Sequence, residues 1–491
     1  MDKFRILDTM SRISAVAENE KSGLEDFLPL KTYSWLGDPG KFLVLGGRGA
    51  GKTRVFHTLL EKEGFRHIVG DQLTLFGPNP DNSVFITGYN QESTDFPPQT
   101  VMEPLAEDGK AAAFWAGSVV ILLLKHFQND ENVKEFASEY LSEDFLTIAA
   151  KKNPLKIPSH WIDYIQRTPE GWENFLDAMD GYLEEKDSWI FLLYDYLDKI
   201  CPKYSDLFPF IRRLLSFWFS HLRRWKRLKC KIFLRNDLYE SQMLNFPDSS
   251  KMVSNCLKLE WDVTSLYRLL VKRLANMGDQ ETLNYLNLID GLISKEPDKK
   301  LGYIPTENEQ LLEQLINMMI GQYMGNDVKK GRSYTWAPNH LQDTHGILSP
   351  RSFLKCFSAA AETMKDRKKD VEGLAGNRIL SPSMLQGAVQ KVSEERVKEL
   401  EEEYPWLSRL KKAFYGLTML MPKAEFINTI RMDLWTEEEQ SQLPATTPAG
   451  IFDILIKLGI VFVARDGRVN VPEIYLHGFG MKKKGGIRRP R

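Results

Sequence analysis

The stretch that decides the fold of this chain reads KFLVLGGRGAGKT, from Lys41 to Thr53. It starts as a short apolar run, passes into a turn rich in glycine, and continues into an amphipathic stretch from Arg54 to Glu63. A strand, a loop and a helix in this order are typical of a phosphate-binding loop. The sequence therefore predicts an α/β fold with a parallel sheet, because such sheets bind ligands at the carboxyl ends of their strands.

The loop residues have the chemistry that a nucleoside triphosphate requires. Glycines let the chain turn so tightly that successive N–H groups face the phosphates, and the start of the helix adds its positive dipole end. Lys52 is expected to reach the β- and γ-phosphates, and the Thr53 hydroxyl is expected to ligate magnesium. We therefore predict ATP and Mg²⁺ as ligands. The predicted nucleotide-binding residues are Gly46, Gly47, Arg48, Gly49, Ala50, Gly51, Lys52, Thr53 and Arg54.

A magnesium site also requires a carboxylate, and the segment from Trp189 to Asp198 supplies one. Its six consecutive apolar or aromatic residues, 189–194, are typical of a strand buried on both faces, which we expect directly beside the first strand. Asp195 follows at the carboxyl end and is the predicted second magnesium ligand. Asp198 is a candidate for polarising water. Helix N-capping is the alternative role for both aspartates.

Another apolar strand with a polar end runs from Lys231 to Asp237, and a shorter strand is predicted from Cys256 to Trp261. A side chain at the end of the former could sense the γ-phosphate. Arg235 as a cation or Asn236 as a hydrogen-bond donor has the chemistry for this role.

Four sequence blocks resemble the P-loop NTPases of the AAA+/STAND assemblage, particularly the KAP-like and related bacterial ATPases of anti-phage systems. The blocks are GGRGAGKT from Gly46, FLLYDYLD from Phe191, IFLRND from Ile232 and GILSPRSFLKCFSAA from Gly346. The resemblance implies that Arg235 or Asn236 is a first sensor of the nucleotide. It implies a second sensor at Arg351, after Pro350 at the start of a lid helix. Plain helix initiation is the alternative role of that pair.

Two departures from the resembled family bear on function. Tyr196 stands where many members carry a catalytic glutamate, which favours a slow switch over a fast motor. The interval from Lys52 to Asp195 is 143 residues, long for this assemblage, and indicates a largely helical insertion at about 103–187.

With 491 residues, the chain is expected to form two or three domains. We predict a P-loop NTPase domain at 1–262, a helical lid at 263–390, and a helical linker with a winged-helix-like domain at 391–491. Apolar residues at three- and four-residue spacing predict helices over Val263–Asn276, Glu307–Met324, Pro350–Met364, Pro382–Tyr404 and Trp406–Leu420. The polar segment 329–349 is predicted to be a loop.

The winged-helix prediction depends on a helix at Gly450–Leu458, followed by strands at Ile460–Ala464 and Val469–Val471 around an Asp466-Gly467 turn. Such domains bind DNA or RNA, bind protein, or pack internally, and the sequence leaves these roles open.

Two basic segments are candidate contacts with phosphate. The last eleven residues, Met481–Arg491, contain six basic residues and no acidic one, and are either a nucleic-acid contact or a solvated terminus. Arg223 or Arg224 could act as an arginine finger in a neighbouring subunit, with solvated surface charge as the alternative. A finger acting between subunits would require a homo-oligomer.

Composition excludes several other classes of protein. A net charge of −1 argues against binding nucleic acid or membrane through overall charge. The four cysteines show no metal-ligand spacing. The longest apolar run, Ala116–Leu124, is too short to span a bilayer and is expected to be a buried helix. The N-terminus lacks a signal-peptide core, so a cytoplasmic location with no membrane contact is predicted.

The leading hypothesis is an ATPase that hydrolyses slowly and acts as a nucleotide-dependent switch or assembly factor, in bacterial anti-phage defence and with an effector protein as partner. A DNA-binding initiator or loader is the alternative. A GTPase ranks third because the guanine-reading NKxD motif is absent from the sequence.

Overall fold

The computed structural model describes two compact units of the chain. The described residues are 1–13, 23–61, 63–70, 76–107, 109–202, 204–239, 249–441 and 443–483. One unit, here the sheet unit, comprises Pro29–Leu259, and the other, here the helical unit, combines Met1–Leu28 with Glu260–Arg491. Residues 1–13 and 23–28 were expected to belong to the NTPase domain, whereas their contacts place them in the helical unit.

The elements of the sheet unit follow a first helix, α1 (Lys3–Ser11), which belongs to the helical unit. The strands are β1 (Leu43–Gly46), β2 (Ser83–Tyr89), β3 (Trp189–Tyr194), β4 (Leu228–Arg235) and β5 (Cys256–Lys258). The helices are α2 (Lys52–Leu60), α3 (Gly64–Val69), α4 (Gln99–Glu107), α5 (Ala111–His126), α6 (Glu131–Tyr140), α7 (Glu143–Ala149), α8 (Ile162–Arg167), α9 (Pro169–Glu185), α10 (Tyr204–His221) and α11 (Asn236–Tyr239). Short 3₁₀ helices lie at Lys31–Gly37, Pro154–Lys156, Pro158–His160, Leu197–Lys199 and Ser249–Asn255.

The five strands form one parallel sheet in the order β2-β3-β4-β1-β5. Every residue of β3 is buried, as predicted for a strand covered on both faces. The strand is not beside β1, however, because β4 lies between them. Since all strands are parallel, the residues that follow β1, β3 and β4 lie at the same edge of the sheet.

Helices cover both faces of the sheet through aromatic contacts. On one face, Phe56 of α2 meets Phe233 of β4 edge-on, with ring centroids 6.0 Å apart. On the other face, Tyr194 of β3 packs between Trp115 of α5 and Trp218 of α10. This three-layer packing fixes α2, and with it the glycine-rich loop, against the sheet.

The helices α4–α9 occupy the predicted insertion between β2 and β3. The apolar run 116–124 lies inside α5 and is largely buried, as expected. Among the described residues, no helix is both long and apolar enough to cross a membrane. The buried Asp180 of α9 joins the insertion to the sheet, because its carboxylate accepts from the backbone N–H groups of Lys226, Arg227 and Leu228 at 2.7–2.8 Å.

The helical unit continues from residue 260 to the C-terminus. Its further helices are α12 (Val263–Ala275), α13 (Gln280–Leu286), α14 (Glu309–Met319), α15 (Ser333–Leu341), α16 (Pro350–Lys365), α17 (Lys368–Glu372), α18 (Pro382–Glu403), α19 (Leu407–Phe414), α20 (Lys423–Thr429), α21 (Glu437–Ser441), α22 (Pro448–Lys457) and α23 (Glu473–Leu476). Its strands are β6 (Thr418–Met419), β7 (Met421–Pro422), β8 (Phe462–Val463), β9 (Arg468–Asn470) and β10 (Lys482–Lys483), and 3₁₀ helices lie at Leu24–Asp26, Val328–Lys330 and Met432–Leu434.

Two features of the helical unit differ from the sequence predictions. The boundary expected between residues 390 and 391 falls inside α18, a continuous helix that packs on both α16 and α23. The segment 329–349, predicted to be a loop, contains α15. The predicted C-terminal hairpin is present: β8 and β9 pair antiparallel after α22, and β7 pairs with β9 to complete a three-stranded sheet.

Replacing Asp180 by alanine is expected to destabilise the sheet unit by about 2–4 kcal/mol, because three backbone N–H groups, one buried and two partly buried, lose a charged acceptor. The shift in the midpoint of urea unfolding measures this cost. Glu184→Ala is the control, since Glu184 lies on the same helix in an exposed pair with Lys226 and is expected to change stability by about 0–1 kcal/mol. Equal shifts for the two variants would contradict the anchoring role of Asp180.

Candidate nucleotide-binding site

The glycine-rich loop joins the end of β1 to the start of α2. Gly49 and Gly51 have φ values of 74° and 96°, in the left-handed region that favours glycine. Gly46 has a different reason to be glycine, since a Cβ there would stand 3.0 Å from the Cβ of Ala50. At Gly47 and Gly51 a Cβ would meet no atom within 4 Å, so the chain leaves open space at these positions. This open, tightly turned backbone is suited to cradle a phosphate group.

Lys52 is the first residue of α2 and folds back over the loop. Its Nζ donates to the carbonyl oxygens of Gly46 at 2.9 Å and Gly47 at 3.0 Å. Burial lowers the pKa of this ammonium group, while Asp195 and Asp198 oppose the shift. The Lys52 ammonium group thus lies beside the loop and is bonded to two neutral carbonyl groups, which a phosphate could replace as acceptors.

Asp195 directly follows β3 and is almost fully buried. Its carboxylate accepts from the Thr53 hydroxyl and from the backbone N–H of Tyr196, and burial raises its pKa to about 6. Its Oδ2 atom is buried with no hydrogen-bond partner among the described residues. A buried carboxylate oxygen without a donor is costly, and a cation beside it would remove this cost.

The alternative capping role of Asp195 does not fit the local geometry. The N-cap position of the following 3₁₀ helix, Leu197–Lys199, is Tyr196, and no side chain caps that helix. Tyr196 itself has a φ of 56°, unusual for a residue other than glycine, and this conformation accompanies the contact of its N–H with Asp195. The two predicted magnesium ligands, Thr53 and Asp195, are therefore in contact although 142 residues separate them.

Arg235 ends β4 and stands beside the loop, because its Cα pairs in register with Gly46. Asp237 holds its guanidinium by two bonds, from Nε at 3.1 Å and from Nη2 at 2.7 Å. The Nη1 atom faces Asp198 at 3.5 Å. Asn236, the alternative sensor, has an exposed side chain at the start of α11. Of the two predicted first sensors, the structure thus places Arg235 within the charged site.

The charge of Lys52 interacts with those of Asp195, Asp198, Arg235 and Asp237. The structure contains no cluster of three or more histidine, cysteine or acidic side chains able to hold a metal, within the part of the chain that it describes. Thr53 and Asp195 fit magnesium only as a partial ligand set, which the oxygens of a bound triphosphate would complete.

Arg48 and Arg54, the other charged residues of the predicted binding segment, are partly exposed. Arg351 lies in the helical unit, at the second position of α16, where Ser349 caps the helix by accepting from the backbone N–H of Ser352. Its guanidinium lies 3.6 Å from Glu399 of α18. The cap supports the helix-initiation role of this segment, while a second-sensor role stays a prediction.

The arginine-finger candidates lie at the other edge of the sheet. Arg223 and Arg224 precede β4, whose carboxyl end lies at the loop. Arg224 is exposed and forms an ion pair with Asp177 of α9, through Nε at 2.9 Å and through Nη2. The pair supports the surface-charge interpretation.

The basic C-terminal tail is described only in part. Lys482 and Lys483 form β10, where Lys483 contacts Glu473, and residues 484–491 lie outside the described residues.

Asp237 was not predicted as a site residue. Its sequence signal is weak, since an aspartate two residues after a strand is common in turns. Only the side-chain geometry shows that it holds Arg235.

Comparisons with known proteins leave the family open. No family model matches the chain, and no curated protein matches it. Among solved structures, the chain titled Cdc6p from Pyrobaculum aerophilum aligns over 96% of both chains, with 12% identity and a TM-score of 0.29. A likeness at this TM-score carries no argument about fold or function.

Asp195→Asn is expected to stabilise the protein in the absence of ligands. The folded pKa of about 6 lies above the ordinary value of 3.8, so the wild type loses stability as the pH rises from about 4 through 6, and a neutral amide does not lose it. The gain is expected to be about 1–3 kcal/mol at pH 7.5 and to disappear as the pH falls to 4, where the carboxyl is protonated in the folded protein.

Urea unfolding of wild type and variant across this pH range, with EDTA present, measures the difference. Asp81→Asn, at an exposed ion pair with Arg66, is the control and is expected to show no such pH-dependent gain. A loss of stability in Asp195→Asn at pH 7.5 would contradict a poorly compensated buried charge.

Proposed function

We propose that this protein is a nucleotide-dependent switch that binds ATP with magnesium at the loop Gly46–Thr53 and hydrolyses it slowly. The observation that carries the proposal is the buried carboxylate of Asp195, which contacts the Thr53 hydroxyl and whose Oδ2 has no hydrogen-bond partner in the described part of the chain. If the Asp195 carboxylate had only a structural role, replacing it by a neutral group would stabilise the protein at no cost in function. A bound cation and triphosphate would give the group its function.

Different residues of the site would bind different parts of the magnesium–ATP complex. Backbone N–H groups of the loop and the first turn of α2 would bind the phosphates, and Lys52 would exchange its two carbonyl partners for phosphate oxygens. Thr53 and Asp195 would hold magnesium, which supplies charge neutralisation at the phosphates when bound. Arg235 would contact the terminal phosphate from the neighbouring strand.

Slow hydrolysis is proposed from the properties of Tyr196 and Asp198, the two residues considered for the role of general base. Tyr196 is buried, and a phenol is ordinarily protonated at neutral pH, so it is a much weaker proton acceptor than a glutamate carboxylate. Asp198 is partly exposed, and its carboxylate is engaged by the Arg235 guanidinium at 3.5 Å. Turnover well below about 1 s⁻¹, the low end for enzymes, is therefore expected.

The finer biological role follows only from the resemblance of the four sequence blocks. It suggests bacterial anti-phage defence, a cytoplasmic location, an effector protein as partner, and assembly into a homo-oligomer. The helical unit would transmit the nucleotide state, with Arg351 as second sensor and the C-terminal helix and hairpin as a winged-helix-like output domain.

A DNA-binding initiator or loader is the second candidate. The three-stranded sheet of β7, β9 and β8 with α20 and α22 favours it, since winged-helix domains that bind DNA combine such elements. The exposed residues of α22, however, are Ala449, Asp453 and Lys457, which carry no net positive charge. This surface favours a protein partner over duplex DNA.

Lys52→Ala is expected to weaken binding of MgATP about a hundredfold, because the ammonium group that would contact the phosphates is lost. Calorimetric titration measures the affinity, and light scattering measures particle size with and without ATP. Lys41→Ala is the matched control, since Lys41 lies before β1, at the opposite end of that strand from the loop. Wild-type affinity and an ATP-dependent change in size are expected for this control.

Three outcomes would contradict the proposal. No binding of either ATP or GTP by wild type would make the loop vestigial. Preferential binding of GTP would make the nucleotide assignment wrong. Binding of duplex DNA that weakens steeply between 50 and 200 mM salt, and is lost on truncation after Lys483, would favour the loader.

A further inference from the structure

We infer that Asp237 is a positioning residue that aims Arg235 at the terminal phosphate, and that Asp198 competes with this phosphate for the same guanidinium. The inference rests on the proposed function, since it concerns how the site distinguishes a triphosphate from a diphosphate. It assigns a role to a residue that does not touch the nucleotide.

The geometry separates the two edges of the guanidinium. Asp237 occupies the Nε–Nη2 edge with two short bonds, which fix the plane of the group as well as its position. Asp237 is only two residues from Arg235, so the contact is made within one turn of the chain. The arginine side chain is about nine-tenths buried, so its direction is constrained by packing as well.

The contact with Asp198 is of a different kind. The distance from Nη1 is 3.5 Å, at the long limit for a hydrogen bond, and the Asp198 side chain is one-third exposed. Asp198 lies in a short 3₁₀ helix that follows β3, so it approaches from another strand. A weak, partly solvated contact of this kind can be replaced by a better acceptor.

Electrostatics favours replacement by a phosphate. The charges that act most on Lys52 include the carboxylates of Asp195, Asp198 and Asp237 and the guanidinium of Arg235. A terminal phosphate that entered beside Arg235 would repel Asp198, so both cannot share Nη1 at full strength. Asp237 would keep the opposite edge in both states, and the arginine would exchange Asp198 for the phosphate without turning.

The two aspartates therefore have opposite predicted effects on discrimination, defined as the ratio of the Kd for MgADP to the Kd for MgATP. Asp237→Asn is expected to lower this ratio about tenfold, because the guanidinium loses its orientation. Asp198→Asn is expected to raise it about threefold to tenfold, because the competitor loses its charge. Asp237→Glu, which keeps the carboxylate, is expected to restore part of the ratio.

Calorimetric titration of each variant with MgADP and MgATP measures the ratio, with Asp81→Asn as the control at the opposite edge of the sheet. A purely structural role would weaken both nucleotides alike and leave the ratio unchanged, which would overturn the inference. The same ratio change in both variants would also overturn it. If Asp237→Asn does not fold, Asp198→Asn decides alone, and a ratio that does not rise refutes the competition. Absence of nucleotide binding in wild type would instead refute the proposed function.

Discussion

Parallel pairing of β1, β4 and β3 is the constraint on which the site depends. It sets Gly46 level with Arg235 and brings Asp195 to the same edge of the sheet, although the three residues are far apart in the sequence. Each strand contributes one chemical function at its carboxyl end: a phosphate cradle, a cation and a carboxylate. The loop alone would be a common turn. The charges that the neighbouring strands place beside it are the reason to interpret it as a nucleotide-binding site.

These charges lie in surroundings that favour neutral groups. Burial lowers the pKa of Lys52 and raises that of Asp195, so each shift reports desolvation that their mutual attraction only partly offsets. Perturbed groups of opposite sign at one edge of a sheet are a frequent mark of functional sites. The arrangement is consistent with a site whose polar groups reach full compensation only with a bound ligand.

Local signals in the sequence predicted local structure well. The glycine loop, the buried strand 189–194 and the start of α16 at Pro350 depend on residues close in the chain, and the structure contains all three. Strand order depends on distant pairing, which explains why β3 was wrongly expected beside β1. The link between Arg235 and Asp237 is a matter of side-chain direction, which spacing does not reveal.

The missed helix α15 shows a second limit of sequence patterns. Pro338 interrupts the apolar periodicity and cannot donate a backbone hydrogen bond, so the segment resembled a loop. In the structure, the Tyr334 carbonyl four residues earlier accepts instead from the hydroxyl of Tyr267, at 2.5 Å. A tertiary contact from α12 thus compensates for the proline.

The decisive measurement is a structure determined with magnesium and a non-hydrolysable ATP analogue. In that structure we expect the phosphates in the loop Gly46–Thr53, Lys52 Nζ released from the carbonyls of Gly46 and Gly47, and Thr53 and Asp195 beside the metal. Nucleotide bound elsewhere, or Lys52 still bonded to both carbonyls with the analogue present, would contradict it.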